Sequence, residues 1–318
     1  MSRFLLPALL CSAQAAFPAS LYGLNPAQQL FRIAPNGSFT ILSDPSPYLV
    51  AQQLSCVDAP RGIFYYIGYS RSTSSPYLVG LSLTTGSTLT QTPLPFFDGQ
   101  YVGIGQYLAV EPASARVFVG GQDVNRFHIM GLVTPGSGEF ELLSNLTSSL
   151  RDVFGGSSVF APETNELWFE LDLDIMILSM ATRKVEVLPV NENYEILGMN
   201  RDPATGVVYG LGGGPGQGVR TVVALHVGNR TIVPTGTVPA YGMQMGGITA
   251  YDWAAKSMFW VAQKANADPQ SQWYLVQNAV EGGRTLSAAP LCGNGQLCPW
   301  SLHYAWAWGM GHAFFFFF

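Results

Sequence analysis

An all-β domain, a six-bladed β-propeller, is the fold class this sequence predicts, and three observations predict it. Five stretches repeat one pattern: an acidic or polar corner, a short turn, then an aliphatic–aromatic strand. The corners are Asp58, Glu111, Pro162, Asp202 and Asp252, and an aromatic stands seven residues after each: Tyr65, Phe118, Phe169, Tyr209 and Phe259. The corners lie 53, 51, 40 and 50 residues apart, a period that marks strand units stacked in a circle. Finally, the first unit begins one strand late, and an unused strand pattern remains near the C-terminus.

Each element follows in order. Small apolar runs before the corners predict inner strands over 53–57, 106–110, 157–161, 197–199 and 247–250. The aliphatic–aromatic runs after the corners are the second strands. Third strands are predicted over 77–81, 128–132, 175–178, 221–225 and 273–276. Each is followed by a turn, at Thr85-Gly86, Pro135-Gly136, Thr182-Arg183, Gly228-Asn229 and Gly282-Gly283, and by a fourth strand. At the N-terminal side Leu21-Tyr22-Gly23-Leu24 matches Val208-Tyr209-Gly210-Leu211, a second strand, and 30–33 and 39–42 read as strands three and four. The missing inner strand is expected from residues 301–306, so that the C-terminal strand pairs with the N-terminal blade and closes the ring. Seven blades would need a unit for which the short 40-residue repeat leaves no room. A β-sandwich explains strands and turns but not their spacing.

The ends carry an address. Arg3, the apolar run 4–11 and Ala13-Gln14-Ala15 read as a secretory signal over 1–15, and that run is too short to span a bilayer. The propeller is expected over 16–310, and 311–318, ending in five phenylalanines, as a disordered apolar tail. A secreted, extracellular monomer without a membrane span follows. Asn36, Asn145 and Asn229 head Asn-x-Ser/Thr triplets and are candidate glycosylation sites. Cys292 and Cys298 bracket a short loop that a disulfide closes in an oxidising compartment. Cys56 is left over as a buried free thiol, with a pairing to either of the others still open. Charged residues make up 11% of the chain and the net charge is −5, without a basic stripe, which argues against nucleic acid as a partner.

Segments such as Ile63-Phe64-Tyr65-Tyr66, Leu167-Trp168-Phe169 and Met258-Phe259-Trp260 resemble the second strands of the six-bladed propeller superfamily. It includes the YWTD, NHL, gluconolactonase-like and TolB-like propellers. The Asp that completes a YWTD repeat is absent, its place taken by Ile67, Glu170 and Val261. The gluconolactonase-like branch implies a divalent cation held by oxygen ligands at the channel mouth. The matching positions are Gln53, Gln106, Ser157, Glu195 and Gly247, and one carboxylate among five is a poor cage for such a cation. No cofactor is expected, with calcium as the exception to test.

No catalytic set is legible. There is no Gly-x-Ser-x-Gly elbow, and the glycine-rich run 212–218 lacks the lysine and helix of a phosphate cradle. Asp172 and Asp174 are read as a tight turn rather than a calcium contact. What remains is a loop face made by the connections into each inner strand and those between strands two and three. It gathers Phe96, Phe97, Asp98, Tyr101, Arg126, Arg151, Asp152, Glu195 and Tyr241, with Asp44 and Tyr48 beside them. Aromatics and mixed charges in a chain poor in charge suit recognition of an extracellular ligand or protein. The alternative is a metal-dependent lactonase- or esterase-like hydrolase centred on Glu195 and Asp98.

Overall fold

The computed structural model describes the strands and corners between residues 21 and 290. Residues 1–20, 25–27, 34–37, 71, 74, 96, 98–106, 124–127, 147–154, 172–173, 189–194, 214–219, 239–240, 253–254, 265–272 and 291–318 lie outside the description. The signal segment, Asn36, Cys292, Cys298, the closing strand and the tail are therefore among the expectations that fall outside it.

Six antiparallel sheets follow one another along the chain and form a propeller. Blade I holds β1 (Leu21–Leu24), β2 (Leu30–Ile33) and β3 (Phe39–Ile41). Blade II holds β4 (Tyr48–Asp58), β5 (Ile63–Ser70), β6 (Pro76–Ser82) and β7 (Thr88–Pro93). Blade III holds β8 (Tyr107–Val110), β9 (Val117–Gln122), β10 (His128–Val133) and β11 (Phe140–Leu146). Blade IV holds β12 (Gly155–Ala161), β13 (Glu166–Leu171), β14 (Asp174–Ser179) and β15 (Val185–Leu188). Blade V holds β16 (Glu195–Arg201), β17 (Val208–Gly213), β18 (Arg220–His226) and β19 (Thr231–Val238). Blade VI holds β20 (Tyr241–Asp252), β21 (Ser257–Lys264), β22 (Trp273–Ala279) and β23 (Thr285–Pro290). The inner strands β4, β8, β12, β16 and β20 lie side by side in that order.

The core is a series of layers between blades, and a period of two assigns residues to it. In β5, Phe64 and Tyr66 face blade I with Leu24 and Leu30, while Tyr65, Ile67 and Tyr69 face blade III with Leu108, Val117 and Val119. In β13, Leu167 and Phe169 pack on Tyr107 and Phe118 of blade III, and Trp168 between them packs on Met199 and Val208 of blade V. Met258 and Trp260 meet Leu211 and Val222. Because the second strand is covered on both sides, its sequence is a continuous apolar run rather than an alternation, as for any strand buried on both faces. Trp260 donates to Asn278 Oδ1 at 2.6 Å inside blade VI.

Four of the five described inner strands start earlier than their sequence suggests, β12 and β16 by two residues and β4 and β20 by more. β4 begins at Tyr48, not at 53, and β20 at Tyr241, not at 247. The registers are interrupted between Val50 and Ser55 and between Gln244 and Thr249. A bulge breaks the two-residue alternation, so the pattern stops there although the pairing resumes beyond it. The mouth positions of these blades are therefore Tyr48 and Tyr241, in place of Gln53 and Gly247. β8 and β12 begin at Tyr107 and Gly155, one residue after Gln106 and two before Ser157.

Candidate binding face

Every inner strand runs from one face of the ring to the other, so the connections sort into two kinds of surface. The corner face carries the links from first to second strand and from third to fourth. These links are short and uniform: 59–62, 111–116, 162–165, 202–207 and 253–256, with 83–87, 134–139, 180–184, 227–230 and 280–284.

Charge on the corner face is spent between neighbouring blades. Arg61 pairs with the buried Asp58 at 3.0 Å and donates to the Pro112 carbonyl of blade III at 3.2 Å. Arg116 reaches Glu141 at 2.7 Å, and Glu141 reaches Arg183 of blade IV at 2.5 Å. Arg201 of blade V holds Glu163 of blade IV at 2.5 Å, and Arg230 of blade V bridges to Glu186 at 2.5 Å and Glu166 at 3.2 Å. Lys256 of blade VI donates to Asp202 of blade V at 2.6 Å. A shallow depression between the corners of blades IV and V is lined by Glu163, Arg201, Thr205, His226 and Asn229, and its charged pair is already closed on itself.

The opposite, loop face is irregular. Connections into inner strands run over 42–47, 94–106, 147–154, 189–194 and 239–240. Those between strands two and three run over 71–75, 123–127, 172–173, 214–219 and 265–272. The described part of this face is richest at blades I and II. Tyr48 lies across blade II, where Gly68 leaves room: a Cβ on Gly68 would meet Tyr48 Cβ at 2.7 Å. Its ring sits 5.0 Å from that of Tyr77, and its hydroxyl donates to the exposed Gln91 at 3.1 Å. Burial, then the neighbouring Tyr77, pushes the Tyr48 hydroxyl up, so it stays a neutral donor at physiological pH. Ser46 shares a 2.8 Å hydrogen bond with Tyr66, whose hydroxyl is pushed up to about 12 by burial. Asp44 is exposed next to them.

Of the residues singled out from the sequence, Phe97 is 8% exposed. It forms an isolated bridge with Asp123 and packs edge-on against Phe140 at 6.1 Å, so its ring belongs to the layer between blades II and III. Glu195 and Tyr241 are the first residues of β16 and β20, paired with Gly213 and Lys264. Phe96, Asp98, Tyr101, Arg126, Arg151 and Asp152 lie outside the described residues. Asn145 is exposed on β11 and Asn229 in the corner-face turn before β19, where Thr231 donates its hydroxyl to Asn229 Oδ1 at 2.6 Å. Cys56 is a free thiol, half-buried against the blade II–III layer, and burial followed by the charge of Asp58 pushes its pKa upward. Leu171 pairs with Asp174, the first residue of β14, and Asp172 lies outside the described residues. Among the described residues no three His, Cys, Asp or Glu side chains converge.

The sequence did not point to Tyr77 or Gln91 as partners of Tyr48, nor to Glu170 and His128 as buried polar groups on β13 and β10. Tyr77 reads as an ordinary strand residue, and only its position beside Gly68 in β5, across from Tyr48, gives it this role.

No protein-family model matches the chain, and no curated protein matches it in sequence. Its likenesses are among solved structures. The chain is similar to an oligogalacturonate lyase in complex with manganese (TM-score 0.53, 11% identity, covering 85% of this chain and 72% of that one). It is similar to a chain of a nidogen/laminin complex (TM-score 0.54, 11% identity, 85% and 92%). It is also similar to the periplasmic gluconolactonase of Pseudomonas aeruginosa (TM-score 0.51, 12% identity, 86% and 81%). The likeness is one of fold. It places the chain among the six-bladed propellers and in no one family within them.

Proposed function

We propose that this propeller is a secreted binding module that recognises an extracellular ligand or protein through its loop face. One observation carries the reading: among the described residues charge is concentrated on the corner face, whose connections all take four to six residues, whereas those of the loop face range from two residues (239–240) to thirteen (94–106). Long connections on a rigid scaffold are where recognition residues are placed. The Tyr48–Tyr77 pair supplies an aromatic platform with a hydroxyl and a carboxamide at its end, a combination that suits a partly polar ligand. The reading assigns Phe96, Asp98, Tyr101, Arg126, Arg151, Asp152, Glu195 and Tyr241 to the same face, as the sequence led us to expect. The nidogen/laminin likeness supports binding by analogy of fold alone.

The test is a binding screen of the secreted protein against glycans and extracellular proteins, repeated with Tyr48→Ala, Arg151→Ala and the corner-face variant Arg61→Ala. Loss of about tenfold in affinity for the loop-face variants, with Arg61→Ala unchanged, is expected. Affinity indifferent to the loop face sinks the proposal. The gluconolactonase likeness favours a second reading, a hydrolase with calcium at Glu195 and Asp98. A stoichiometric cation, a calcium-dependent rise in Tm and turnover of a lactone lost in Glu195→Gln would establish it instead; at a hundred times Kd the cation adds about 2.7 kcal/mol.

A further inference from the structure

The seam between blades I and II on the loop face is tied by neutral hydrogen bonds. The Leu30 amide donates to Ser43 Oγ at 2.7 Å and the Ser46 amide to the Gln28 carbonyl at 3.3 Å, so the β1–β2 connection lies against the β3–β4 connection. Ser46 Oγ accepts the Tyr48 amide at 3.1 Å and shares a hydrogen bond with Tyr66. From Ser46 a line of side chains crosses blade II: Tyr48 on β4, Tyr77 on β6 beside the bare Gly68 of β5, and Gln91 on β7. Neighbouring strands lie about 4.8 Å apart, so the three steps from β4 to β7 span roughly 14 Å. The two tyrosine rings are half-buried and inclined at 43°, and Asp44 and Gln91 are exposed.

Gln28 is the unusual member of this group. It is 7% exposed, and its Oε1 is buried with no hydrogen-bond partner among the described residues. Its backbone is left-handed, with φ 62°. The other described non-glycine residues in that region, Ala115, Asn165, Arg183, Arg230 and Lys256, all stand in corner-face links. A buried acceptor without a donor and a left-handed backbone both cost stability, and here one loop-face residue carries both.

We propose that this seam is a saccharide subsite: two linked, uncharged sugar rings lie along Tyr48 and Tyr77, Gln91 Nε2 donates to one hydroxyl, and another hydroxyl supplies the donor that Gln28 Oε1 lacks. The proposal rests on the loop-face binding reading, to which it adds the ligand class and a place at blades I and II, away from the channel mouth. Chemistry selects this occupant. Of Gln28, Asp44, Ser46, Tyr48, Tyr77 and Gln91 only Asp44 carries a charge, so little there offsets the desolvation of a strongly charged ligand. A sugar ring has a C–H face that packs on the electron-rich face of an aromatic ring. Its hydroxyls both donate and accept, as carboxamides and tyrosine hydroxyls do. The Tyr48 hydroxyl engages Gln91 through Oε1 at 3.1 Å, which leaves Nε2 to donate to a ligand. An extended peptide is recognised by an open strand edge, whereas this line crosses four strands already paired with one another.

The test titrates cellobiose, maltose, xylobiose and diacetylchitobiose into the full secreted chain, by calorimetry and saturation-transfer NMR. Wild type is compared with Tyr77→Ala, Gln28→Met and the corner-face control Arg183→Ala. At least one of these sugars is expected to bind, about tenfold more weakly to Tyr77→Ala and unchanged to Arg183→Ala. Gln28→Met keeps the side chain's length and removes the orphaned acceptor, so affinity should fall about tenfold while Tm holds or rises. A lower Tm with unchanged affinity makes Gln28 a structural residue and overturns the proposal, whether or not Tyr77→Ala folds. So does the absence of binding by all of these sugars, or binding that Tyr77→Ala and Gln28→Met leave intact. A protein or peptide bound through the loop face, with no sugar bound, overturns this subsite and leaves the loop-face reading standing. A sugar released by Arg183→Ala and not by the seam variants sinks both.

Discussion

Asp202 is 0% exposed, and four groups converge on its carboxylate. Lys256 Nζ at 2.6 Å, Thr205 Oγ1 at 2.9 Å and Tyr251 Oη at 3.3 Å reach Oδ2, and the Ala204 amide reaches Oδ1 at 3.0 Å. Burial by itself raises its pKa. The Lys256 hydrogen bond, the Ala204 amide, the Thr205 hydroxyl and the Lys256 charge outweigh that, and the net shift is downward. A folded pKa below the unfolded one means stability that is complete above the ordinary aspartate range and lost as pH falls through the folded value. Asp202→Asn is therefore expected to cost on the order of 2 kcal/mol at pH 7, with the half-exposed Lys256 holding it below the cost of a fully buried pair. In urea melts the gap from wild type should shrink once pH drops below about 4; a gap constant from pH 7 to pH 3 contradicts the assignment. Trp260→Phe leaves the buried Asn278 Oδ1 without its indole donor and should lose about 1–3 kcal/mol, more than the small volume change explains. Both interactions join side chains whose types the sequence displays but whose pairing it does not. Asp202 was legible as a corner, and its partner on the next blade was not.

At the scale of elements, the strands were legible wherever two-residue alternation or a continuous apolar run held. They were misplaced where a bulge intervened, as at the starts of β4 and β20. The bulge in β16 between Leu197 and Asn200 shows what such irregularities do. Gly198 adopts φ 67°, and its carbonyl accepts hydrogen bonds from Thr249 Oγ1 and Asn200 Nδ2, each at 2.7 Å. On the other side Ser157 Oγ accepts the Met199 amide at 2.7 Å. One bulged segment thus stitches the inner strands of blades IV, V and VI. A side chain at 198 would be strained in the left-handed region and would overlap Thr249. Gly198→Ala is expected to cost about 1–3 kcal/mol, read as a lower denaturant midpoint with an unchanged m-value. A change below about 0.5 kcal/mol would mean that this segment bends freely. The sequence offered no signal for the bulge, because a lone glycine inside a strand is consistent with several geometries.

Across the whole molecule, apolar layers and corner-face ion pairs hold neighbouring blades together with unequal strength. Trp168 is buried between blades IV and V, and Trp168→Ala should cost about 3–5 kcal/mol. The pair between Arg183 and Glu141 is largely solvated, so Arg183→Ala should cost less than about 1 kcal/mol and less again in high salt. Thermal melts of both variants at low and high ionic strength check this order; the reverse order would make the corner face the main clasp of the ring. The sequence by itself determined the blade count and the order of the strands. Those depend on local period and on a repeat of corners, and both are printed along the chain. Only the tertiary structure decided which charges are spent and which aromatics meet. Glu141 and Arg183 are 42 residues apart, Glu163 and Arg201 38, and Asp202 and Lys256 54. Those separations are close to one blade. Curling the chain into a ring sets equivalent positions of successive repeats side by side, and no pattern within a single repeat records which of its residues face that neighbour.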